Sequence, residues 1–413
     1  MKLVIISYVC TFLLSSTADE NCDDFKVEQI QVLFRHGART PIAKGIKILN
    51  STDYSVYEPP GFGELTKEGK LQEYSFGKFL RTRYANFLNS TDELKDVYGY
   101  ASDTARTKMS LQLLLAGLYP PDRFARWHPL LNWSPIPYSY APEKWDILLS
   151  ACKNVKFLKS YLKIILSEKF LAEIANYSEF LDFVAKSTNG IKSLMNTIMI
   201  FDNLISNEYM KLPLPIWYTT EVRQTFMEFA AFVWDSTTAT TETKRLGIGS
   251  LIKTFVENMN LNGTIERPRK IYLYGGHDMN VAMFTRSLGI TELRYPLFGS
   301  AVIFEKLHDS KSHVHVRVLS WDGLGNLQAL KLGNGKTCSP IADYLNIVKP
   351  VIPSAEEMDA MIGIQSPKEI RDVFFTSVNR PPHLFDELRN LSRSVFNSKI
   401  PSPVDFFGYL FDL

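Results

Sequence analysis

The sequence is short of several features that would place a protein in a special class. Its 413 residues carry a formal net charge of only +2, so no extended basic face is expected and nucleic acid is not expected as a partner. Beyond the N-terminus there is no apolar run long enough to span a bilayer, and no membrane partner is expected. Internal repeats and low-complexity tracts are missing. A chain that is 45% hydrophobic and 22% charged is neither disordered, collagen-like nor a coiled coil.

Aromatic residues, in contrast, are plentiful. The chain contains 27 Phe, 19 Tyr and 6 Trp, which is enough to fill a large core. At about 150 residues per domain, the length predicts two or three domains, or one large domain that carries an insertion.

The N-terminus has the pattern of a secretory signal. Lys2 precedes an apolar stretch over residues 3–14, and the small residues Ser16 and Ala18 follow it. This stretch is shorter than the roughly 20 residues of a membrane span, so residues 1–18 are predicted to be a signal peptide cleaved after Ala18. We therefore expect a secreted, extracellular glycoprotein. Six Asn-x-Ser/Thr triplets are candidate glycosylation sites: Asn50, Asn89, Asn132, Asn176, Asn262 and Asn390.

Cysteine is scarce and its number is odd after processing. Four cysteines are present, and Cys10 lies in the predicted signal. Cys22, Cys152 and Cys338 remain, which predicts one disulfide and one unpaired thiol. The spacing alone does not select the pair.

The first chemically distinctive segment follows a predicted strand over residues 27–34. Arg35 and His36 come directly after it, and Arg39 lies three residues further on, in a loop that contains Gly37 and Pro41. Guanidinium groups match phosphate oxygens, and imidazole is a nucleophile near neutral pH. This loop is therefore a candidate phosphate site.

Two further strand-to-helix junctions carry polar groups at the same kind of position. Residues 269–274 form a predicted strand that two glycines, His277 and Asp278 follow, and a helix begins near Asn280, with Asp278 or Asn280 as its cap. Residues 96–101 form another predicted strand, and Arg106 lies in the first turn of the helix after it. Ligands bind at the carboxyl ends of strands in open α/β sheets, so these groups are expected to converge.

Together these motifs resemble the histidine acid phosphatases, the second branch of the histidine phosphatases. The resemblance rests on Arg-His-Gly-Ala-Arg-Thr-Pro at residues 35–41, Arg106 within Ser-Asp-x-x-Arg-Thr, and the His277-Asp278 pair. It covers residues 27–137 and 270–287 well, and the segment at 131–137 is most similar to the insect venom and salivary group. Ala38 departs from the aspartate that is common in acid phosphatases, a departure that bears on leaving-group preference.

The resemblance implies a role for each residue. His36 becomes the catalytic nucleophile and Asp278 the catalytic proton donor. The phosphate-binding groups become Arg35, Arg39, Arg106 and His277. The family's disulfide implies a Cys152–Cys338 bond with Cys22 unpaired. No cofactor and no metal are implied, because three arginines can supply the positive charge that a transferring phosphoryl group requires.

The expected fold is α/β: a doubly wound, mainly parallel sheet with helices on both faces and an inserted helical cap. Residues 19–150 and 254–350 are assigned to the α/β phosphatase domain, 151–253 to the cap, and 351–413 to a C-terminal extension packed on the α/β domain. The substrate is expected to be a small phosphate monoester, and a homodimer is one assembly that the sequence leaves open.

Two other functions are compatible with this sequence. One is a small-ligand-binding salivary or venom protein that has lost catalysis on the same scaffold, and the other is a phytase-like phosphatase. All six expected groups are present, which favours the enzyme, although function depends on the site and not on the fold. His313 and His315 alternate along a predicted strand, and we interpret them as a polar strand face, because no carboxylate or cysteine at ligand spacing joins them.

Overall fold

The computed structural model describes residues 22–43, 55–58, 60–88, 93–188, 190, 192–293, 295–359 and 361–362. The predicted signal peptide and the triplets at Asn50, Asn89 and Asn390 lie outside these residues.

One sheet organises the described chain. Its strands are β1 (Lys26–Arg35), β2 (Val97–Ala101), β3 (Ile271–Gly276), β4 (Ala301–His308), β5 (Val314–Trp321), β6 (Leu327–Leu330) and β7 (Cys338–Pro340). They lie in the order β2-β3-β1-β4-β5-β6, and β7 pairs with β5. The sheet is mixed: β2, β3 and β1 run parallel, and the pairs from β1–β4 onward are antiparallel. The α/β class is confirmed, and the parallel strands are the three whose ends the sequence singles out.

The helices divide into two groups in the chain. Those that accompany the sheet strands are α1 (Lys67–Arg83), α2 (Glu93–Asp96), α3 (Ala105–Leu118), α10 (Gly249–Asn258), α11 (Asp278–Ser287), α12 (Ile341–Val348) and α13 (Ala355–Asp359). Between α3 and α10 lies a purely helical stretch: α4 (Val155–Ile165), α5 (Glu168–Ala175), α6 (Ser178–Ser187), α7 (Leu194–Tyr209), α8 (Thr220–Ser236) and α9 (Thr241–Gly247).

Alternation along β1 shows why helices cover both faces of the sheet. Ile30, Val32 and Phe34 point into a core with residues of α1 and α3. Leu33 points to the opposite face, where a larger core includes residues of the helical stretch. Gln31 on that second face is buried, and its amide donates to the backbone oxygen of Phe255 at 2.7 Å. Both faces of the strand are therefore fixed by packing.

The start of the predicted C-terminal extension packs on the helical stretch. Glu357 of α13 is 3.0 Å from Arg245 of α9, and the amide of Asn154 donates to the backbone oxygen of Met361. Residues 363–413 lie outside the described residues, so the boundaries of the extension and of the cap stay predictions. Within the described residues, no helix is long and apolar enough to cross a membrane.

Candidate active site

The parallel half of the sheet brings the three junctions to one edge. Arg35, the last residue of β1, is aligned with Gly276, the last residue of β3, and β2 ends alongside at Ala101. The backbone N–H of His36 donates to the oxygen of Gly276 at 3.0 Å, and that of Ser102 donates to Gly275 at 3.0 Å. The residues that follow all three strands consequently enter the same space, as predicted.

Two glycines let the loop after β1 lie directly on helix α1. A Cβ atom at Gly37 would come within 2.3 Å of the backbone oxygen of Gly69. A Cβ at Gly69 would come within 1.9 Å of the oxygen of Ala38. Side chains at these two positions would force the backbones apart. The glycines therefore permit the close contact with α1 that positions the loop and His36.

The ring of His36 is buried, with 2% of the residue exposed. Its Nδ1 lies 2.9 Å from the backbone oxygen of Gly37, and a carbonyl can only accept, so Nδ1 carries the proton. Its Nε2 accepts a hydrogen bond of 3.2 Å from the Nε of Arg106. The nitrogen with the free electron pair therefore faces the arginines.

The surroundings of His36 keep the ring neutral. Burial lowers the pKa of His36 well below its usual value, and the positive charges of Arg106, Arg35 and Arg39, together with the nearby His277, lower it further. The Nε2 lone pair is therefore present even in mildly acidic solution.

Arg35 and Arg39 are both buried and lie against one aromatic ring. The guanidinium carbon of Arg35 is 4.1 Å from the centroid of the Phe298 ring, and that of Arg39 is 5.5 Å from it. Nη1 of Arg35 donates to the backbone oxygen of Pro296, and Nη1 of Arg39 donates to that of Thr40. The Nε atoms of both side chains are buried and have no hydrogen-bond partner among the described residues. Such donors are available to an anion.

Asp278 and His277 occupy the start of helix α11. Asp278 begins the helix, and its Oδ2 lies 3.2 Å from Nη2 of Arg35. The N-cap is His277, so the predicted cap at Asp278 or Asn280 is wrong. Asn280 is the third residue of the helix, and its side-chain oxygen accepts from the backbone N–H of His277. The side chain of Asp278 is 19% exposed and can therefore reach both substrate and water.

His277 is held by the junction after β2. Its Nε2 lies 2.9 Å from the hydroxyl of Ser102, and its ring centroid lies 5.4 Å from that of His36. Burial lowers the pKa of His277 well below its usual value, and Arg106 lowers it further. The imidazole of His277 is therefore a neutral group beside the arginines.

Sequence reasoning missed two residues of the site. Asp202 lies in α7 and pairs with Arg39 at 2.6 Å and with Arg35 at 3.5 Å. Phe298 supplies the ring under both arginines. No sequence motif surrounds Asp202, and an isolated acidic residue in an amphipathic helix usually points to solvent. Nothing in the sequence therefore marks it as part of the site.

The predicted disulfide pairing is wrong. Cys22 is bonded to Cys338, with a Cα–Cα distance of 5.9 Å, and Cys152 is free and buried. The pair forms because β7 lies antiparallel to β5 and brings Cys338 to a small core that it shares with Cys22 and with Leu307 of β4. Cys152 lies in the separate core beneath the helical stretch, where burial raises the pKa of its thiol to about 12.

His313 and His315 both face Asp309, a contact that the sequence analysis did not foresee. Nδ1 of His313 is 3.0 Å from Oδ2 of Asp309, and Nε2 of His315 is 3.6 Å from the same atom. Within the described residues, no group of three or more His, Cys, Asp or Glu side chains could hold a metal ion. The triplets at Asn132, Asn176 and Asn262 are exposed, and their glycosylation stays a prediction.

These features define a class of protein before any comparison. A neutral histidine, three arginines and a carboxylate that meet at the carboxyl ends of the parallel strands form an anion site with a nucleophile in it. The family description "Histidine phosphatase superfamily (branch 2)" matches residues 26–320. The chain belongs to this family. It is accordingly a phosphatase, as the sequence analysis predicts.

Similar proteins include acid phosphatases from several animals. Venom acid phosphatase Acph-1 of Apis mellifera is 31% identical over 341 residues, which are 81% of this chain and 87% of that protein. The lysosomal acid phosphatase of Homo sapiens is 28% identical over 344 residues, covering 81% of this chain and 80% of that protein. The prostatic acid phosphatase of Rattus norvegicus is 28% identical over 333 residues, covering 78% and 86%.

Solved structures show the same fold at lower identity. The Hafnia alvei phytase in complex with myo-inositol hexakis sulphate has a TM-score of 0.65 at 15% identity, and the match covers 80% of this chain and 98% of that one. The Citrobacter braakii phytase has a TM-score of 0.62 at 15% identity, covering 81% and 99%. At such identities the likeness concerns the fold alone.

Proposed function

We propose that the protein is a secreted acid phosphatase that hydrolyses phosphate monoesters through a phosphohistidine intermediate on His36. The observation that carries the proposal is the neutral Nε2 of His36, which faces three arginines at one sheet edge while Asp278 lies next to them. Secretion is supported by the N-terminal pattern and by the venom origin of the relative from Apis mellifera.

The first step is transfer of the phosphoryl group to the enzyme. Arg35, Arg39 and Arg106 surround the phosphate oxygens and offset their charge. Nε2 of His36 attacks phosphorus, an N–P bond forms, and the bond to the ester oxygen breaks. The Nδ1 proton stays on the ring, and the Gly37 carbonyl at 2.9 Å stabilises the positive charge that the ring gains.

Asp278 supplies the proton that the departing oxygen needs. Protonation by a positioned acid is worth about 10²–10⁴-fold for a poor leaving group. In the second step Asp278 accepts a proton from a water molecule, the water oxygen attacks phosphorus, and the N–P bond breaks. Orthophosphate leaves and His36 returns to its neutral form.

The proposal is tested by assaying the purified full chain with p-nitrophenyl phosphate between pH 3 and 9. The optimum is expected at roughly pH 4.5–6, between the carboxyl and imidazole reference values. The His36→Ala variant is expected to be folded but inactive. A wild-type protein that binds orthophosphate without turning over any monoester would instead support the ligand-binding alternative.

A further inference from the structure

The carboxylate of Asp202 lies where an anion would approach the two arginines. Asp202 belongs to helix α7, and its side chain is 14% exposed. Its Oδ2 is 2.6 Å from Nη2 of Arg39, and its Oδ1 is 3.5 Å from Nη2 of Arg35. One carboxylate thus bridges two guanidinium groups.

The remaining contacts of the arginines show which edge is left for a phosphate. Nη1 of each guanidinium is already bonded to a backbone oxygen, of Pro296 for Arg35 and of Thr40 for Arg39. The Nε atoms are buried and have no partner among the described residues. Nε and Nη2 form one edge of a guanidinium, so a phosphate that uses this edge must share Nη2 of Arg39 with Asp202. It must likewise share Nη2 of Arg35 with both Asp202 and Asp278.

Two opposing effects of Asp202 follow from this position. In the empty site it neutralises buried positive charges that would destabilise the fold without a counterion. When an anion is bound, two negative groups share the same donors, and like charges this close repel. Removal of the Asp202 charge should then strengthen anion binding.

We propose that Asp202 is a positioning residue that acts as the counterion of Arg35 and Arg39 in the empty site and weakens their hold on product orthophosphate. The inference rests on the proposed function, since it requires the arginines to bind phosphate. Asp202 thereby makes the helical stretch part of the site and favours release of product.

The test uses Asp202→Asn, which keeps the shape of the side chain and removes its charge. The inhibition constant of orthophosphate is measured against p-nitrophenyl phosphate for wild type and variant, and we expect it to fall about tenfold or more. Orthophosphate should also raise the melting temperature of the variant by more than that of the wild type. If Asp202 only held the arginines in place, the constant would rise.

Glu208→Gln is the matched control. Glu208 lies in the same helix and pairs with Arg223 at 2.9 Å, and among the described residues no ion pair joins it to Arg35 or Arg39. Glu208→Gln removes the same charge from α7, and the inhibition constant of orthophosphate should stay within about twofold of the wild type because Glu208 shares no donor with the bound anion.

The outcomes separate this inference from the proposed function. If the inhibition constant of orthophosphate is unchanged or higher in Asp202→Asn, the proposed role of Asp202 is wrong, while the proposed phosphatase function still stands. A wild type that orthophosphate does not inhibit overturns the proposed function instead. If Asp202→Asn is unfolded alone but folds with orthophosphate, the counterion role is supported, and a variant that stays unfolded in saturating orthophosphate contradicts it.

Discussion

Replacement of Asp278 by asparagine should slow substrates according to their leaving groups. Asparagine keeps the size of the side chain but is not a carboxylic acid, so it does not protonate the departing oxygen. An alkyl phosphate such as glycerol 2-phosphate releases an alkoxide and needs that proton. p-Nitrophenyl phosphate releases a stable phenolate and needs it much less.

Two separate contributions to the loss of kcat/KM in Asp278→Asn follow from the structure. Asp278 is 3.2 Å from Nη2 of Arg35, so the substitution also changes the charge beside this phosphate-binding donor, and that change affects every substrate alike. Loss of proton donation adds about 10²–10⁴-fold for the alkyl phosphate only. The difference between the two substrates therefore isolates the proton.

The assay is a leaving-group series measured as kcat/KM, with Asp202→Asn as a matched control. Asp202 also contacts Nη2 of Arg35, at 3.5 Å, so this variant removes a carboxylate from the same arginine without removing the proposed acid. We expect a steep dependence on the leaving-group pKa for Asp278→Asn and a wild-type dependence for the control. An equal loss for all substrates in Asp278→Asn would refute the role of Asp278 as proton donor.

The remaining predictions concern metals, acid stability and the disulfide. Activity should survive exhaustive chelation, because arginines supply the charge at the phosphate; loss in EDTA that one divalent ion restores would contradict this. Burial raises the pKa of Glu73 well above its usual value, and both of its oxygens lack partners in the described chain. The contribution of this group to the free energy of unfolding is therefore complete below the unfolded-state pKa of about 4.3 and is lost as pH rises through the higher folded-state pKa. Glu73→Gln should therefore melt at a higher temperature than wild type at pH 7 and near the wild-type temperature at pH 4. Glu68→Gln, on the exposed side of the same helix, should melt near the wild-type temperature at both pH values. A melting temperature of Glu73→Gln at or below that of wild type at pH 7 would contradict the burial argument. Non-reducing peptide mapping should find Cys22 joined to Cys338, and Cys152→Ala should leave this bond intact. Replacing both bonded cysteines by serine should lower the free energy of unfolding by about 2–5 kcal/mol. A peptide that joins Cys152 to Cys338 would contradict the pairing.

What could be predicted from the sequence follows from local patterns. The strand before Arg35 begins with alternating hydrophobicity, and Gly37 and Pro41 lie in the loop after it; two glycines stand directly before His277. These signals place both groups at strand ends, where the structure has them. Parallel pairing of β1 with β3 then brings them together.

The parts that could not be predicted depend on contacts distant in sequence. Asp202 is 163 residues from Arg39, and its role arises only when α7 lies over the strand ends. The Cys22–Cys338 bond, with a sequence separation of 316, depends on the antiparallel pairing of β7 with β5. Glu73 occupies a buried position of an amphipathic helix that a carboxylate seldom fills, and only the packing of α1 shows that it is buried.

The central claim is that His36 carries the phosphoryl group during turnover. The most direct measurement is to mix the enzyme with ³²P-labelled monoester at its pH optimum, denature it within milliseconds at alkaline pH, where phosphohistidine persists, and map the label by mass spectrometry. We expect phosphate on Nε2 of His36 in wild type, more of it in Asp278→Asn with an aryl substrate, and none in His36→Ala. Label on a serine, cysteine or aspartate, or turnover by His36→Ala, would contradict it.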